Sequence, residues 1–402
     1  MTERLYYHDS FLKEFDACVI SCHSVDGQFH VTLDRTALYP SSGGQPNDTG
    51  RMNEAVVLDV LEAASGEIIH VTDRALPEGP VHCAIDWPRR FDHMQQHTGQ
   101  HILSAVFLGE FGYQTVGFHL GRESSTIDLA AEAVPAVQHQ SAEQRVNDII
   151  FEDRPVSVRF GSREELAAAG ARKEVDRDGV LRAIAIEGVE VQPCGGTHVA
   201  RTGQIGILLL RRCEKQKGHW RLEFVCGSRA LRAAREDRRL LLEAARTLGG
   251  AAAEVPALVA RATGERRESD RQRKELQSRL AAFEAVELLA QAPPSVPRVV
   301  AKVLEGAGPD YLRLLATNVA AHGPSTALLG GSPGGHVVFA QSSGMPRDMH
   351  ELLRAVLTPV AGKGGGTRDF AQGSVPDSTR LEDILRDARQ RLTVPQGRTE
   401  AL

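Results

Sequence analysis

Two pairs of possible metal ligands have the same spacing of four residues. His97 and His101 lie in HMQQHTGQHILSAVF, and Cys194 and His198 lie in VQPCGGTHVARTG. An i, i+4 spacing places the first pair on one face of a predicted helix. The two glycines of the second motif let its backbone bend, so that both ligands can turn toward one point. One thiolate and three imidazoles form a tetrahedral ligand set that suits zinc.

Each pair alone is weak evidence for a metal, because a chain with 15 histidines contains such spacings by chance. The two motifs together, one on a predicted helix and one in a Gly-rich turn, favour zinc over unrelated roles. In one alternative the histidines face solvent and the cysteine is a small buried residue. In another the zinc is purely structural, since four protein ligands normally close a site.

Length and composition indicate an ordinary globular protein of two or three domains, with 402 residues, 42% hydrophobic and 25% charged. The chain has no apolar run long enough to span a membrane, and its charged start is unlike a signal segment. We therefore expect a cytoplasmic protein without a membrane partner. The six dispersed cysteines then predict free thiols.

The net charge of −5 argues against nucleic-acid binding, but the charge is unevenly distributed. Residues 201–240 contain eleven Lys and Arg and four Asp and Glu, which gives 11 − 4 = +7. Such a patch can attract phosphate groups, although a solvated helix face with ordinary ion pairs is the alternative. The candidate RNA contacts in this patch are Arg211, Arg212, Lys215 and Lys217.

Four regions of different pattern must position these side chains, and together they predict an α+β protein. Short β-branched runs between turn residues predict a small N-terminal β-barrel over 1–90. Mixed helical and strand patterns predict an α+β domain over 91–228 that holds the zinc ligands. Residues 229–292 predict a helical hairpin or a short coiled coil. Strands that alternate with helices predict a small C-terminal α/β domain over 293–402.

Two Gly-rich segments could bind ligands. TALYPSSGGQPNDTG lies among the predicted barrel strands, where glycine allows backbone N–H groups to approach a ligand. AGKGGGTRDFAQGSV has the composition of a flexible loop in which Lys363 could hold a phosphate, although the residue order of a P-loop is missing. A plain turn and a plain linker are the respective alternatives.

These motifs occur in one order along the chain: TALYPSSGGQPNDTG, QHTGQHILSA, PCGGTHVARTGQIG and GKGGGTRDFAQG. That order resembles the editing half of alanyl-tRNA synthetases. It resembles more closely the freestanding alanyl-tRNA editing proteins of the AlaX type, long form, over nearly the whole chain. The ligand pairs also resemble those of threonyl-tRNA synthetase editing domains, whereas the Gly-rich loop and tail favour the alanyl side.

The resemblance implies an aminoacyl-tRNA deacylase that removes serine, with glycine as a further candidate, from mischarged tRNA(Ala). It implies editing in trans, without aminoacylation or use of ATP, and one zinc ion per chain held by His97, His101, Cys194 and His198. The tail resembles a tRNA-binding, self-associating module and is expected to bind tRNA through Lys363. A homodimer through the helical or C-terminal region is therefore expected.

The resemblance also assigns roles within the pocket. Thr36 would hydrogen-bond the serine hydroxyl, and a Thr36 hydroxyl left unpaired by alanine could discriminate by roughly 10⁴. The alternative is a strand threonine at a turn. The family loop usually carries an aromatic residue and an acidic residue where this chain has Leu38 and Ser41. These two departures concern the shape of the pocket.

Further pocket residues follow from the same motifs. Gly43, Gly44 and Gln45 match the GGQ segment that lines the pocket in the family. His119 in GFHLG could act as a proton shuttle near the metal, or it could be an ordinary strand histidine.

The sequence leaves the role of the zinc open, because zinc can lower the pKa of water or can hold the substrate's amino group. It also leaves two other functions open. One is a tRNA-binding module with a structural zinc, and the other is a threonyl-type editing factor.

Overall fold

The computed structural model describes residues 2–171 and 179–393. Two compact units are present, Met1–Glu243 and Ala244–Leu402. Residues 172–178 of the predicted domain 91–228 and residues 394–402 of the predicted domain 293–402 lie outside the described residues. The structure mixes helices and strands, as the sequence predicts, whereas the four domain limits stay predictions.

The first unit opens with a closed β-barrel, which confirms the barrel predicted near the N-terminus. The strands of this region are β1 (Glu3–Arg4), β2 (Glu14–Val25), β3 (Gln28–Leu33), β4 (Arg35–Thr36), β5 (Gly50–Met52), β6 (Ala55–Glu62), β7 (Ile68–Thr72) and β8 (Gly79–Ile85). The barrel pairs them in the order β2-β3-β7-β6-β5-β8, and β1 pairs with β4 outside it. Apolar side chains such as Val31, Met52 and Val57 fill the interior.

Helix α1 (Trp87–Phe111) follows the barrel and carries the first pair of candidate ligands. It begins earlier than the predicted position near residue 91, because the Asp86 side chain accepts a hydrogen bond from the backbone N–H of Arg89 and caps the helix. Gly112, with φ +71°, ends it in the left-handed conformation. The middle of α1 is buried, so its histidines lie inside the unit.

The remaining elements of the first unit follow α1, and the last of them, α4, continues beyond the unit's end at Glu243. They are β9 (Gln114–Leu120), β10 (Ser125–Ala130), α2 (Ala136–Phe151), β11 (Val156–Gly161), α3 (Arg163–Ala168), β12 (Leu181–Ile186), β13 (Glu190–Pro193), β14 (Leu208–Gln216), β15 (His219–Cys226) and α4 (Gly227–Leu248). One sheet has the order β14-β15-β10-β9 and another the order β11-β12-β13. LRAIAIEGVEV, predicted as one strand, is two strands, because Gly188 turns the chain at φ +65°.

The second unit has a mixed sheet with helices. Its elements are α5 (Val255–Gln291), β16 (Arg298–Glu305), α6 (Pro309–Ala321), β17 (Ser325–Ser332), β18 (His336–Gln341), α7 (Met349–Leu357), β19 (Lys363–Gly366), β20 (Phe370–Ser374) and α8 (Leu381–Thr393). The sheet order is β16-β17-β18-β20-β19, and only the β16–β17 pair among these is parallel. The end of α5 is buried with α6, through Ala285 and Leu288.

Helix α5 also carries exposed apolar side chains, among them Leu276, Leu280 and Phe283. The predicted helical hairpin and the predicted homodimer through this region or the C-terminal region stay predictions. Among the described helices, none combines the length and the apolar character needed to cross a membrane.

The Gly-rich tail is not the flexible loop predicted around Lys363. Residues Lys363–Gly366 form edge strand β19, which pairs antiparallel with β20. A Cβ atom on Gly366 would lie 2.2 Å from the carbonyl oxygen of Phe370, so glycine lets the two strands approach closely. Lys363 is exposed on this edge, and its role in phosphate binding stays a prediction.

Candidate metal centre

The fold brings the four predicted ligands together. Their ligand atoms all lie within 4.8 Å of one another, and the three histidines are buried while the cysteine is half-buried. The Sγ atom of Cys194 lies 3.5 Å from Nε2 of His97 and 3.3 Å from Nε2 of His198. Helix α1 supplies one pair and the turn after β13 supplies the other. This His/Cys cluster could hold a metal ion.

Each ligand histidine has an oxygen beside its other ring nitrogen, Nδ1. These contacts join His97 to Gln45 Oε1 (2.8 Å), His101 to Glu190 Oε1 (2.6 Å) and His198 to Thr98 Oγ1 (3.2 Å). Donation from Nδ1–H to these oxygens leaves Nε2 without a proton and available to a metal. Such an oxygen partner at Nδ1 is the arrangement that metal-binding histidines need, and all three candidate ligands have it.

Gln45 links the GGQ loop to the candidate metal ligands. Its Oε1 atom also accepts a hydrogen bond from the backbone N–H of Thr197 at 3.1 Å, and its Nε2 atom donates to the Thr197 hydroxyl at 2.8 Å. These contacts fix the orientation of the amide, so Oε1 faces His97. The predicted pocket residue Gln45 thus positions a candidate ligand and contacts both candidate ligand motifs.

Gly43 and Gly44 occupy a tight turn between Ser42 and Gln45, which exchange backbone hydrogen bonds. Both glycines have positive φ, +58° and +84°, as a type I′ turn requires. A Cβ on Gly44 would lie 2.9 Å from the carbonyl oxygen of Phe118, and the Phe118 ring stacks on His97 at 5.3 Å between ring centroids. The turn therefore packs directly against the strand that covers the ligand.

The turn that carries Cys194 is held by a buried arginine on β12. Arg182 donates from Nη1 to the carbonyl oxygens of Cys194 (2.6 Å) and Gly196 (2.9 Å), and from Nε to that of Tyr7 (3.0 Å). A Cβ on Gly196 would lie 2.2 Å from Cε1 of His97, so only glycine fits there. A cavity of about 970 Å³ borders this turn and includes Arg182, Cys194 and Tyr7 in its lining.

The charges in the cluster favour a thiolate. Burial alone would raise the pKa of the Cys194 thiol, but the charges of His97 and His198 outweigh burial and hold it well below its usual value. Burial lowers the pKa of His101, yet the charge of Glu190 and the hydrogen bonds to Cys194 and Glu190 raise it to about 10, so a metal that binds Nε2 of this ring must displace a proton. Burial, followed by the charge of His97, lowers the pKa of His198 well below its usual value. A thiolate and imidazole nitrogens are suitable zinc ligands.

Thr36 is fully buried in the first unit, where its hydroxyl already has partners. The hydroxyl lies 2.9 Å from Nε2 of His70 and accepts a hydrogen bond from the backbone N–H of Leu38 at 3.1 Å. Nδ1 of His70 lies 3.1 Å from the carbonyl oxygen of Val31, an acceptor, so Nδ1 carries the proton and Thr36 donates to Nε2. Of the two lone pairs of the Thr36 hydroxyl, one remains for a further donor.

His119 is exposed on β9, next to Phe118, whose ring stacks on His97. Successive side chains of a strand point to opposite faces, so His119 points away from the ligand that Phe118 covers. The structure therefore does not bring His119 together with the four ligands.

The predicted RNA contacts lie on the β14–β15 hairpin and are exposed, but two of them are paired with acids. Arg211 forms an ion pair with Asp237, and Arg212 lies 2.7 Å from Glu214. Lys215 and Lys217 form no ion pair with any described residue, so they remain the more available cations of this group.

Sequence reasoning missed Glu190, Thr98 and Arg182. Thr98 follows His97 directly but has no motif of its own, and Glu190 lies 89 residues from the histidine that it contacts. The only sequence signal for Glu190 and Arg182 is a charged residue within an apolar strand pattern. Such a residue is expected to have a partner, since these charges are rarely buried without one.

Two family models match parts of the chain. The family described as "Threonyl and Alanyl tRNA synthetase second additional domain" matches residues 181–223, which include the Cys194 turn. The DHHA1 domain family matches residues 298–393.

Several curated proteins are similar to the chain. Alanyl-tRNA editing protein AlaX-L of Pyrococcus horikoshii is 34% identical over 98% of this chain and 98% of its own length. Alanyl-tRNA editing protein Aarsd1 of Danio rerio is 36% identical over 57% of this chain and 60% of its own length. Alanine–tRNA ligase of Thermococcus kodakarensis is 31% identical over 97% of this chain, which spans 44% of the ligase. The full-length match, together with both domain families, shows that the chain belongs to the AlaX-L family of alanyl-tRNA editing proteins.

Proposed function

We propose that the chain is a trans-editing hydrolase that removes serine, and also glycine, from mischarged tRNA(Ala), with one zinc ion and without aminoacylation or ATP. The observation that carries the proposal is the convergence of His97, His101, Cys194 and His198 beside the GGQ turn. This convergence occurs in a chain similar to alanyl-tRNA editing proteins along its full length.

Zinc fits the donor set, because three Nε2 atoms and one thiolate face one another while the Nδ1 atoms are occupied. When bound, zinc would supply a Lewis acid next to the ester. Gln45 holds the ring of His97, and Glu190 holds that of His101. Arg182 holds the turn that presents Cys194.

Serine selection would use the remaining lone pair of the Thr36 hydroxyl. A serine side chain has an O–H group that can donate to it, whereas the alanine side chain has no polar hydrogen. The buried environment of Thr36 makes such a difference large, because an unmet hydrogen bond costs more where water is excluded.

A second candidate function is a tRNA-binding module in which the zinc is structural. The observation that favours it is the four-ligand set itself, since catalytic zinc sites usually keep one position open. The cavity beside Cys194 favours the enzyme instead, because it gives a substrate access to the edge of the cluster. The threonyl-type alternative has less support, because full-length similarity is to an alanyl-tRNA editing protein.

The test is deacylation of Ser-tRNA(Ala), Gly-tRNA(Ala) and mischarged tRNA(Thr) by the wild type, Cys194→Ala and the control Cys18→Ala. Cys18 is a free cysteine on barrel strand β2 and is not a ligand. We expect serine release by the wild type and Cys18→Ala, and zinc loss with a large loss of activity in Cys194→Ala. Failure of the wild type to deacylate any of these substrates would contradict the enzyme. Full activity of folded, zinc-free Cys194→Ala would contradict the role of zinc.

A further inference from the structure

A second cavity of the first unit has a volume of about 480 Å³. It is lined by the start of α1, the turn between β9 and β10, the start of α4 and the residue that follows Gln45. Its lining residues are Pro46, Pro88, Arg89, Asp92, His93, Gly121, Arg122, Ser228, Arg229 and Arg232. All of them belong to the first unit.

The cavity is strongly basic. Four arginines and one aspartate line it, which gives a net charge of 4 − 1 = +3. Arg229 is buried and neutralises Asp92 at 2.6 Å, while its Nη1 atom donates to the carbonyl oxygen of Gly121 at 2.7 Å. Arg122 and Arg232 are exposed and form no ion pair with any residue in the described part of the chain. Their charges therefore remain available to an anion.

Two helix N-termini meet at this cavity. Pro88 and Arg89 belong to the first turn of α1, and Ser228 and Arg229 belong to the first turn of α4. In α1 the N–H of Arg89 already donates to the Asp86 carboxylate and Pro88 has no N–H, so α4 is the helix that offers its N-terminus. The first backbone N–H groups of a helix have no partner within the helix, and the helix dipole is positive there. Both features favour a bound phosphate.

A buried, unpartnered side-chain atom independently points to a ligand. His93 is only 4% exposed and lines the cavity, yet its Nδ1 atom has no hydrogen-bond partner among the described residues. Burial is the main cause that lowers the pKa of His93 to about 3, and the charges of Arg89 and Arg229 contribute to the same shift. The ring is therefore neutral and lies in a positive field that an anion would relieve.

Two residues that line the cavity lie close in sequence to residues of the candidate metal centre. His93 precedes His97 by one turn on the same face of α1, a rise of about 6 Å. Pro46 follows Gln45, whose side chain contacts His97 at 2.8 Å. A substrate ester at the metal centre would thus have the cavity within about one nucleotide of RNA chain.

We propose that this cavity binds a backbone phosphate of the single-stranded 3′ end of the tRNA, next to the aminoacylated nucleotide. The inference rests on the proposed function and adds the contact that places the ester at the metal. The lining offers arginines and the N-terminus of α4 rather than an aromatic platform, so it recognises phosphate and not base identity. It orients the RNA end without selecting its sequence.

The test compares Arg122→Gln/Arg232→Gln with the control Arg51→Gln/Arg159→Gln, which removes the same charge from exposed positions outside the cavity. Binding of the RNA tetranucleotide ACCA is measured by fluorescence anisotropy at fixed salt. The same measurement uses ACCA whose last phosphate is a neutral methylphosphonate. Loss of charge-assisted hydrogen bonds should weaken ACCA binding by about tenfold or more. The control should bind as the wild type does.

The methylphosphonate should weaken binding to the wild type but not to the cavity variant, because the contact is already lost. Unchanged ACCA binding in the cavity variant, or an equal effect of the methylphosphonate on both proteins, would overturn the proposal. Hydrolysis of seryl-adenosine, which has no phosphate, should stay within about twofold of the wild type. A wild type that binds ACCA through the cavity but hydrolyses nothing would contradict the proposed function and leave the cavity assignment intact.

Discussion

The three histidines of the candidate metal centre are each oriented by a different kind of acceptor. A carboxylate, Glu190, holds His101, whereas an amide and a hydroxyl hold His97 and His198. The carboxylate contact is the shortest of the three, at 2.6 Å, and is the only one that carries a charge. Because a charged acceptor makes the imidazole a better donor to a metal, Glu190 should contribute most to metal affinity among these oxygens.

Glu190→Gln tests this ranking at the level of one atom. Glutamine keeps an oxygen acceptor for His101 but removes the charge, so the zinc Kd should rise by about 10- to 100-fold. The Kd is measured by competition with a chelating dye. The control Glu187→Gln changes an exposed residue of the adjacent turn and should leave the Kd unchanged. Equal zinc affinity in Glu190→Gln and the wild type would show that the charge is dispensable.

His70 makes the stability of the first unit depend on pH. Burial lowers its pKa from 6.5 to about 4, so the folded protein favours the neutral ring. The unfolded chain binds the extra proton below pH 6.5, and the stability from the neutral ring is therefore lost as the pH falls from 6.5 toward 4. Between pH 7.5 and 5.0 this loss is about 2 kcal/mol.

His70→Gln should remove that part of the pH dependence. The free energy of unfolding is measured in urea at pH 7.5 and 5.0 by tryptophan fluorescence. Both tryptophans, Trp87 and Trp220, lie in the first unit, so the signal reports on that unit. The loss between the two pH values should be smaller by about 2 kcal/mol in the variant. The same loss in both proteins would mean that His70 does not titrate on unfolding.

At the residue scale, ligand types and spacing were enough to predict a His/Cys cluster that could hold a metal, because i, i+4 geometry and a Gly-rich turn are local properties. The contacts of Thr36 could not be predicted, since they depend on how β4, outside the barrel, packs near β7, which brings His70 beside a threonine 34 positions away. Glu190 and Arg182 were missed for the same reason. Their partners are set by tertiary packing and not by any local pattern.

At the element scale, the position of the GGQ turn is coupled to the candidate metal centre by contacts with strand β9. The backbone N–H of Leu120 donates to the carbonyl oxygen of Gly44 at 3.0 Å, and the ring of Phe118 covers His97. Gln45 follows in the same turn. A shift of the turn would therefore move both the cover and the hydrogen-bond partner of one ligand.

Gly44→Ala and Gly43→Ala form a matched pair for this contact. A Cβ at Gly44 would collide with Phe118, whereas a Cβ at Gly43 meets nothing within 4 Å. Both sites have positive φ, so each alanine has a backbone cost of about 1 kcal/mol. We expect Gly44→Ala alone to weaken zinc binding and deacylation, by about tenfold, because only it displaces the turn. Zinc titration and deacylation of Ser-tRNA(Ala) measure the two effects. Equal losses in Gly44→Ala and Gly43→Ala would contradict the prediction.

Element types were predictable where apolar period and turn residues agreed, as for the barrel and helix α1. The GKGGG segment shows where such local reasoning fails. Glycine removes the β-propensity that a strand normally shows in sequence. Here glycine is required by the close approach of β19 to β20. Composition alone does not show this tertiary contact, so the Gly-rich segment was predicted as a loop.

At the scale of the whole molecule, each unit has its own apolar interior. The buried clusters of the first unit involve residues up to Cys226 among the described residues, and those of the second begin at Ala281. The metal cluster and the basic cavity both lie in the first unit. By our proposals, hydrolysis and the binding of the RNA end therefore belong to the first unit, which also carries the predicted RNA contacts of the β14–β15 hairpin. Further tRNA contacts are expected in the second unit, where Lys363 lies.

Deletion of residues 251–402 should separate these two contributions. The cut follows the end of α4 at Gly249 and Gly250, whereas a cut at 292 would strip the apolar end of α5 from α6. The truncated protein should keep its zinc and hydrolyse seryl-adenosine at the wild-type rate. Its KM for Ser-tRNA(Ala) should rise by about tenfold or more, because phosphate contacts supplied by the second unit are lost.

The salt dependence of binding distinguishes lost phosphate contacts from a general defect. Each phosphate contact adds about 0.9 to the slope of log Kd against log salt on a duplex, so the truncated protein should show a shallower slope. The full-length Lys363→Gln variant should lower the slope slightly, since it removes one exposed charge from the edge of the second unit's sheet. Unchanged KM and slope after truncation would show that the first unit alone binds the tRNA. The second unit would then have to act in some other way, such as self-association.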